Sequence, residues 1–133
     1  MLKIEHIGIA VNDLANSEEI FEKLLGYKHY KIEDVPSEGV KTAFYRAGEV
    51  KIELLEGSGP NNSIRKFIDK KGEGIHHIAF AVKDIQAEIQ RLQDLGFDFI
   101  ATTPKPGADN KLICFLHPGK TNGVLVELCQ DIS

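Results

Sequence analysis

Two histidines and two glutamates interrupt apolar stretches of this 133-residue chain. They are His6 and His77, each at the start of a stretch of small and aliphatic residues, and Glu53 and Glu127, each between two aliphatic residues. Burying an unpaired carboxylate is prohibitive unless a positive group compensates, and a metal ion is the strongest such group. If the four side chains meet, they would form a metal site.

The four residues are considered together because the chain contains an internal repeat. Three blocks recur in the same order with small differences in spacing: HIGIAVNDL with HIAFAVKDI, LGY with LGF, and VKIEL with VLVEL. Ordered recurrence favours a tandem duplication over chance similarity between short apolar strands. Each copy contributes one histidine from its first block and one glutamate from its last block.

Each copy predicts one strand, one helix and three further strands. The predicted strands are Ile4 to Val11, Tyr27 to Glu33, Val40 to Ala47, Val50 to Glu56, His77 to Val82, Phe97 to Thr102, Lys111 to His117 and Val124 to Cys129. Apolar residues at helical spacing follow the first strand of each copy, and Gly26 or Gly96 closes the helix. We expect an α+β fold in which two tandem βαβββ modules pair into a curved mixed sheet around a metal-binding cavity.

The expected organisation is a single domain over residues 1–133. The first module covers 1–56 and the second covers 75–133. Between them, residues 57–74 should form a connecting helical segment, with Ser58 or Asn62 as the helix N-cap.

Strand alternation places each histidine on a face with room for a ligand. That face otherwise carries small residues: Gly8, Ala10, Ala79 and Ala81. Two imidazoles and two carboxylates suit Zn²⁺, Co²⁺, Ni²⁺, Fe²⁺ or Mn²⁺, and the residue types do not choose among them. A closed structural zinc site would more often use thiolates. We therefore expect a site with coordination positions open to substrate.

The other histidines are expected to be structural. His76 precedes His77 and must face the other way, so it supports the fold or a ligand. His29 and His117 have no counterpart in the repeat. Taken singly, the strand histidines and glutamates would also be ordinary core or surface residues, and only their repetition favours a metal site.

The composition excludes several other functions. Sixteen Lys and Arg residues against 20 acidic residues give a net charge of −4, without a basic block for nucleic acid. No apolar run reaches membrane-spanning length, and the N-terminus lacks a signal-peptide pattern. The two cysteines, Cys114 and Cys129, lack zinc-site spacing. We expect a cytoplasmic protein with no nucleic-acid or membrane partner.

Four segments resemble a known family: HIGIAV, IELLE, NSIRKFIDKKGEGIHHIAFAV and FLHPGKTNGVLVEL. They resemble methylmalonyl-CoA epimerases, a branch of the vicinal oxygen chelate superfamily of glyoxalase, bleomycin resistance and dioxygenase proteins. The resemblance implies a divalent metal held by His6, Glu53, His77 and Glu127. It also implies an acyl-CoA substrate, a homodimer, and interconversion of (R)- and (S)-methylmalonyl-CoA through a metal-stabilised enolate.

Two positions depart from the pattern of that family. Some epimerases have Gln where this chain has Glu53, and in some members a proposed glutamate base occupies the position of Thr42. Threonine is not a base. We expect Glu127 to be one proton-transfer group, and the second is Glu53, Glu38 or a metal-bound water.

The sequence contains few indications of the substrate. No phosphate-binding glycine motif is present, and Lys105, Lys111 and Lys120 are expected to be solvated surface lysines rather than coenzyme A contacts. A glyoxalase I type lactoylglutathione lyase would use the same ligand set. A ligand-binding protein of this fold without enzymatic activity is the other alternative, and it would not require the metal.

Overall fold

The order of strands and helices confirms a mixed α+β fold with two βαβββ modules. The computed structural model describes residues 1–132. Its strands are β1 (Lys3–Ala10), β2 (Lys31–Val35), β3 (Val40–Ala47), β4 (Val50–Gly57), β5 (Gly74–Ala81), β6 (Lys105–Gly107), β7 (Lys111–Phe115) and β8 (Val126–Asp131). Its α-helices are α1 (Leu14–Leu25), α2 (Ser63–Lys71) and α3 (Ile85–Asp94).

One compact unit spans His6–His76. Its strands lie in the order β2-β3-β4-β1, with β1 parallel to β4 and the other neighbours antiparallel. The carboxylate of Asp13 caps α1 by accepting from the Asn16 amide, and Gly26 ends it in the left-handed region at φ 89°. One sheet face packs on α1 through an apolar cluster: Val11, Leu14, Ala43, Tyr45 and Leu54, with Ile9, Phe21, Leu25 and Ile52 partly buried against it.

The other compact unit combines Met1–Glu5 with the chain from His77 onward. Its strands lie in the order β5-β8-β7-β6, with β5 parallel to β8. Asp84 caps α3 by accepting from the Ala87 amide. The core beneath α3 is wholly apolar: Val82, Ile85, Ile89, Leu92, Cys114, Leu116 and Leu128, with Phe97, Phe99 and Val126 packed against it.

The segment between the modules contains α2, as predicted, and Asn62 is its N-cap. The Asn62 side-chain oxygen accepts from the amides of Ile64 and Arg65, and its nitrogen donates to the carbonyls of Glu38 and Gly39. One side chain therefore joins the start of α2 to the β2–β3 turn. A Cβ on Gly57 would lie 2.0 Å from the Asn62 oxygen, so this close approach requires glycine.

The strand prediction for Phe97 to Thr102 is wrong. That stretch makes an isolated bridge between Phe99 and Leu116, and the strand β6 forms later, around Pro106. Pro104 and Pro106 lack backbone N–H donors, which confines the chain here to a short edge strand. In the first module, β2 begins at Lys31 rather than Tyr27.

Within residues 1–132, every helix is too short or too polar to cross a bilayer.

Candidate metal centre

The first unit contains a buried imidazole–carboxylate pair. His6 Nδ1 lies 3.1 Å from Glu53 Oε2, and the two residues are 5% and 3% exposed. The parallel pairing of β1 with β4 places Glu53 opposite Gly8, two residues beyond His6 on the same strand face. Because Gly8 has no side chain, the glutamate can lean back along the face towards the imidazole.

The second unit contains the equivalent pair. His77 Nε2 lies 3.1 Å from Glu127 Oε1, and the two residues are 5% and 4% exposed. The parallel pairing of β5 with β8 places Glu127 opposite Ala79, again two residues beyond the histidine. The repeat in the sequence is therefore also a repeat in strand register, with a small residue opposite each glutamate.

A phenylalanine flanks each glutamate on its other side. Phe44 on β3 pairs with Glu53, and Phe115 on β7 pairs with Glu127. The Phe115 ring makes an edge contact with the His77 ring, with centroids 5.6 Å apart and planes at 89°. These aromatic rings limit water around the carboxylates, which raises the cost of leaving a negative charge uncompensated.

The chemistry of the donor groups in each pair fits a divalent metal. Neighbouring ligands around an octahedral ion with bonds of about 2.1 Å lie about 3.0 Å apart, close to the observed nitrogen–oxygen separations. A hydrogen bond between imidazole and carboxylate would have a similar length. Each unit therefore supplies one nitrogen and one oxygen donor that can hold an ion or pair with each other.

Thr42 is a feature of this face that sequence reasoning missed. Its side chain is 0% exposed, and its hydroxyl has no hydrogen-bond partner among the described residues. Thr42 is two residues from Phe44 on β3, so strand alternation places it on the same sheet face as Glu53. Strand alternation indicates this face from the sequence, but the lack of a partner for the hydroxyl within residues 1–132 is visible only in the structure.

Cys114 does not add a ligand to this chemistry. Burial, together with the negative charge of Glu127, raises the pKa of its thiol to about 12. The thiol stays protonated at neutral pH, so it is a poor nucleophile and a poor metal ligand.

The histidines expected to be structural have separate roles. The His76 ring makes an edge contact with Phe67, with centroids 5.0 Å apart. His117 Nδ1 accepts from the Gly119 amide at the start of a short 3₁₀ turn, Pro118–Lys120. His29 lies 3.0 Å from a carboxylate oxygen of Glu22.

Lys111 and Lys120, both considered for coenzyme A, contact acidic residues of the same chain. Lys111 pairs with Asp131 and lies 4.0 Å from Glu5. Lys120 pairs with Asp98 at 3.2 Å and donates to the Gly96 carbonyl. Lys120, 56% exposed, lies on the surface as expected, whereas Lys111, 13% exposed, is largely buried rather than solvated.

The comparisons with known proteins place this chain among its relatives. A family model described as the Glyoxalase/Bleomycin resistance protein/Dioxygenase superfamily matches residues 5–115. The Bacillus subtilis "Uncharacterized protein YqjC" is 40% identical over 130 residues, which are 98% of this chain and 93% of the relative. The ethylmalonyl-CoA/methylmalonyl-CoA epimerase of Cereibacter sphaeroides is 38% identical over 130 residues, which are 96% of this chain and 97% of the relative.

A solved structure agrees with these sequence matches. A variant of Streptomyces coelicolor methylmalonyl-CoA epimerase, in complex with 2-nitronate-propionyl-CoA, has a TM-score of 0.94 and 32% sequence identity. The match covers 100% of this chain and 96% of the other.

Proposed function

Because this chain belongs to the Glyoxalase/Bleomycin resistance protein/Dioxygenase superfamily, we propose that it interconverts (R)- and (S)-methylmalonyl-CoA. The family resemblance expected from the sequence is confirmed, and with it the class of enzyme, an isomerase. The 38% identity to a named epimerase, over 96% of this chain, supports the substrate. The observation that carries the proposal is the buried histidine–glutamate pair, found at the same register in both units.

We propose that His6, Glu53, His77 and Glu127 bind one divalent cation, either Co²⁺, Zn²⁺, Ni²⁺, Fe²⁺ or Mn²⁺. Support comes from the donor types and from the burial of both carboxylates. Held by these ligands, the cation would supply Lewis acidity for the negative charge that develops when the α-proton leaves. The residues then have to position the substrate and move the proton.

Proton transfer is assigned to the two glutamates. The Glu127 carboxylate takes the proton from the carbon between the thioester and the carboxylate, so that a C–H bond breaks and an O–H bond forms. Glu53, from the other repeat, is the proposed donor to the opposite face: in its protonated form its O–H bond breaks as the new C–H bond forms there, which inverts the carbon. Acid–base catalysis of this kind contributes about 10²–10⁴-fold to a rate.

The Thr42 hydroxyl is proposed to donate a hydrogen bond to a bound substrate oxygen. A buried hydroxyl without a partner costs roughly 1–3 kcal/mol, and a ligand acceptor would remove that cost. Thr42 would thus position the substrate without taking its proton.

We propose a cytoplasmic homodimer whose modules cover residues 1–56 and 75–133, joined by the segment 57–74. The acyl-CoA partner is supported by the CoA compound bound to the Streptomyces relative. Size-exclusion chromatography with light scattering tests the dimer.

Deuterium exchange tests the function itself. The purified chain is incubated with methylmalonyl-CoA in deuterated water, and the α-hydrogen is followed by NMR. Exchange at the α-carbon supports the epimerase. Absence of exchange, together with turnover of the hemithioacetal of methylglyoxal and glutathione, would favour a lactoylglutathione lyase. Neither reaction, with tight binding of a ligand, would favour the protein without enzymatic activity.

A further inference from the structure

A second cluster of metal-ligand residues lies in the first unit, apart from the pair His6–Glu53. His29 Nδ1 is 3.0 Å from Glu18 Oε1 and 3.0 Å from Glu22 Oε2. One donor atom from each of the three residues lies within 4.8 Å of the others. The two glutamates are four residues apart on α1, so they project from one helix face, and His29 comes from the loop before β2.

The hydroxyl of Tyr45 fixes the orientation of the Glu22 carboxylate in this cluster. It donates to Glu22 Oε2 at 3.1 Å, and Tyr45 itself is 0% exposed. The rings of His29 and Tyr45 make an edge contact at 6.2 Å, so the imidazole is held by its neighbours. A ligand carboxylate fixed by a buried hydrogen bond is typical of metal sites.

The repeat shows that the fold does not need polar groups here. Counted from the helix caps Asp13 and Asp84, Glu18 corresponds to Ile89 and Glu22 to Gln93; counted from the glycines Gly26 and Gly96, His29 corresponds to Phe99. Strand register matches Tyr45 with Leu116. Three of the four counterparts belong to the apolar cluster beneath α3: Ile89, Phe99 and Leu116.

The first unit thus has a carboxylate, an imidazole and a phenol at positions that are apolar in the second unit. Packing alone does not explain these polar residues, because apolar residues occupy the corresponding positions in the second unit. Glu18, Glu22 and His29 keep 16%, 23% and 29% of their side chains exposed, which leaves the cluster open to an ion from solution.

We propose that Glu18, Glu22 and His29 form a second divalent cation site, distinct from the proposed catalytic centre. Two carboxylate oxygens and one imidazole nitrogen suit Zn²⁺ or Mn²⁺, with water completing the coordination. Separations of 3.0 Å match adjacent ligands around an ion with bonds of about 2.1 Å. The ion would tie α1 to the following loop and, through Tyr45, to β3, and so stabilise the folded unit.

The electrostatics of the cluster agree with this assignment. The hydrogen bond from His29 lowers the pKa of Glu22, so the carboxylate is ionised at neutral pH and ready to bind a cation. Burial, followed by the neighbouring Glu22, raises the pKa of Tyr45, which keeps its hydroxyl a donor.

Zinc counting tests the site on the full-length chain without an affinity tag. The protein is stripped with a chelator, dialysed against Zn²⁺ and analysed by mass spectrometry of the metal. Glu22→Gln and His29→Asn should each hold one zinc fewer than the unchanged chain. The control Glu19→Gln removes the same charge from an exposed position of α1 and should hold the full amount.

A second measurement does not depend on any variant. Mn²⁺ added to the isotope-labelled, unchanged chain should broaden the amide signals of α1 and the following loop, around Glu18, Glu22 and His29. Equal zinc content in all variants, or Mn²⁺ broadening that spares α1 and the following loop, would overturn the proposal. His77→Asn separates this site from the catalytic centre, because it should lower zinc content while leaving broadening around His29 intact.

Discussion

The Glu127 carboxylate lies 3.1 Å from the imidazole of His77, and both side chains are almost completely buried. Their strands are parallel neighbours, and the residue opposite the glutamate is Ala79. The imidazole therefore approaches the carboxylate along the sheet face rather than straight across the strands. A pair held this way presents one nitrogen and one oxygen donor to the proposed cation.

Replacing Glu127 by Gln tests its role in proton transfer. The amide keeps the shape of the side chain but neither accepts the substrate proton nor carries a charge. Turnover should fall by about 10²–10⁴-fold while the circular dichroism spectrum is unchanged. Glu49→Gln, an exposed position in the β3–β4 turn, is the control and should keep full activity. Near-normal turnover of the Glu127 variant would remove Glu127 from the mechanism.

Thr42→Val tests the buried hydroxyl. Valine has almost the same shape, and it removes a polar atom that lacks an intramolecular partner. Chemical denaturation should show an unfolding free energy that is unchanged or higher. The value of kcat/KM should fall roughly tenfold, the loss expected for one hydrogen bond. Unchanged kinetics would show that the hydroxyl has no part in binding; reduced stability would mean that it supports the fold.

The thiol of Cys114 should be protected in the folded protein. Its pKa is raised to about 12 by burial and by Glu127, so almost no thiolate is present at neutral pH. A colorimetric thiol reagent should react slowly with native protein and rapidly after denaturation. Fast labelling of Cys114 in the native state, located by peptide mass spectrometry, would contradict the buried environment.

Glu88→Gln should change the acid side of the stability profile. The hydrogen bond from Arg91, with a further contribution from the terminal amine of Met1, lowers the pKa of Glu88 below its ordinary value of 4.5. The stabilisation is therefore present above that value and is lost as the pH falls through the lowered pKa. We expect the variant to be less stable by about 0.5–1 kcal/mol at pH 7, with the difference vanishing in acid.

Denaturant titrations at several pH values measure this difference. Glu19→Gln, an exposed position of α1, removes one negative charge elsewhere and serves as the control. A stability gap between Glu88→Gln and the unchanged chain that persists into strong acid would show that charge is not its source.

The sequence predicted what the repeat encodes. His6 and His77 could be recognised because each recurs with small neighbours in a strand, and the structure gives each a buried glutamate partner in the same unit. The helix caps Asp13 and Asp84 follow the same local rules in both modules. Periodicity and duplication carry this kind of information.

The features that were missed depend on contacts between distant residues or on departures from the repeat. Thr42 has no chemical signal of its own, and it becomes notable only when its hydroxyl is found buried without a partner. His29 lacks a counterpart histidine, so the sequence alone predicts a structural residue; its contacts with Glu18 and Glu22 appear only in the structure. The side-chain pattern predicts a strand at Phe97 to Thr102, but the strand forms later, as β6. Pro104 and Pro106 lack backbone N–H donors and limit pairing there to a short edge strand.

Crystallography with anomalous scattering tests the shared catalytic cation most directly. Crystals of the chain grown with Co²⁺ are measured on both sides of the cobalt absorption edge. The shared cation should give one anomalous peak about 2.0–2.3 Å from ligand atoms of His6, Glu53, His77 and Glu127, in addition to any peak at His29. No peak at these residues, or a separate peak at each histidine–glutamate pair, would contradict it.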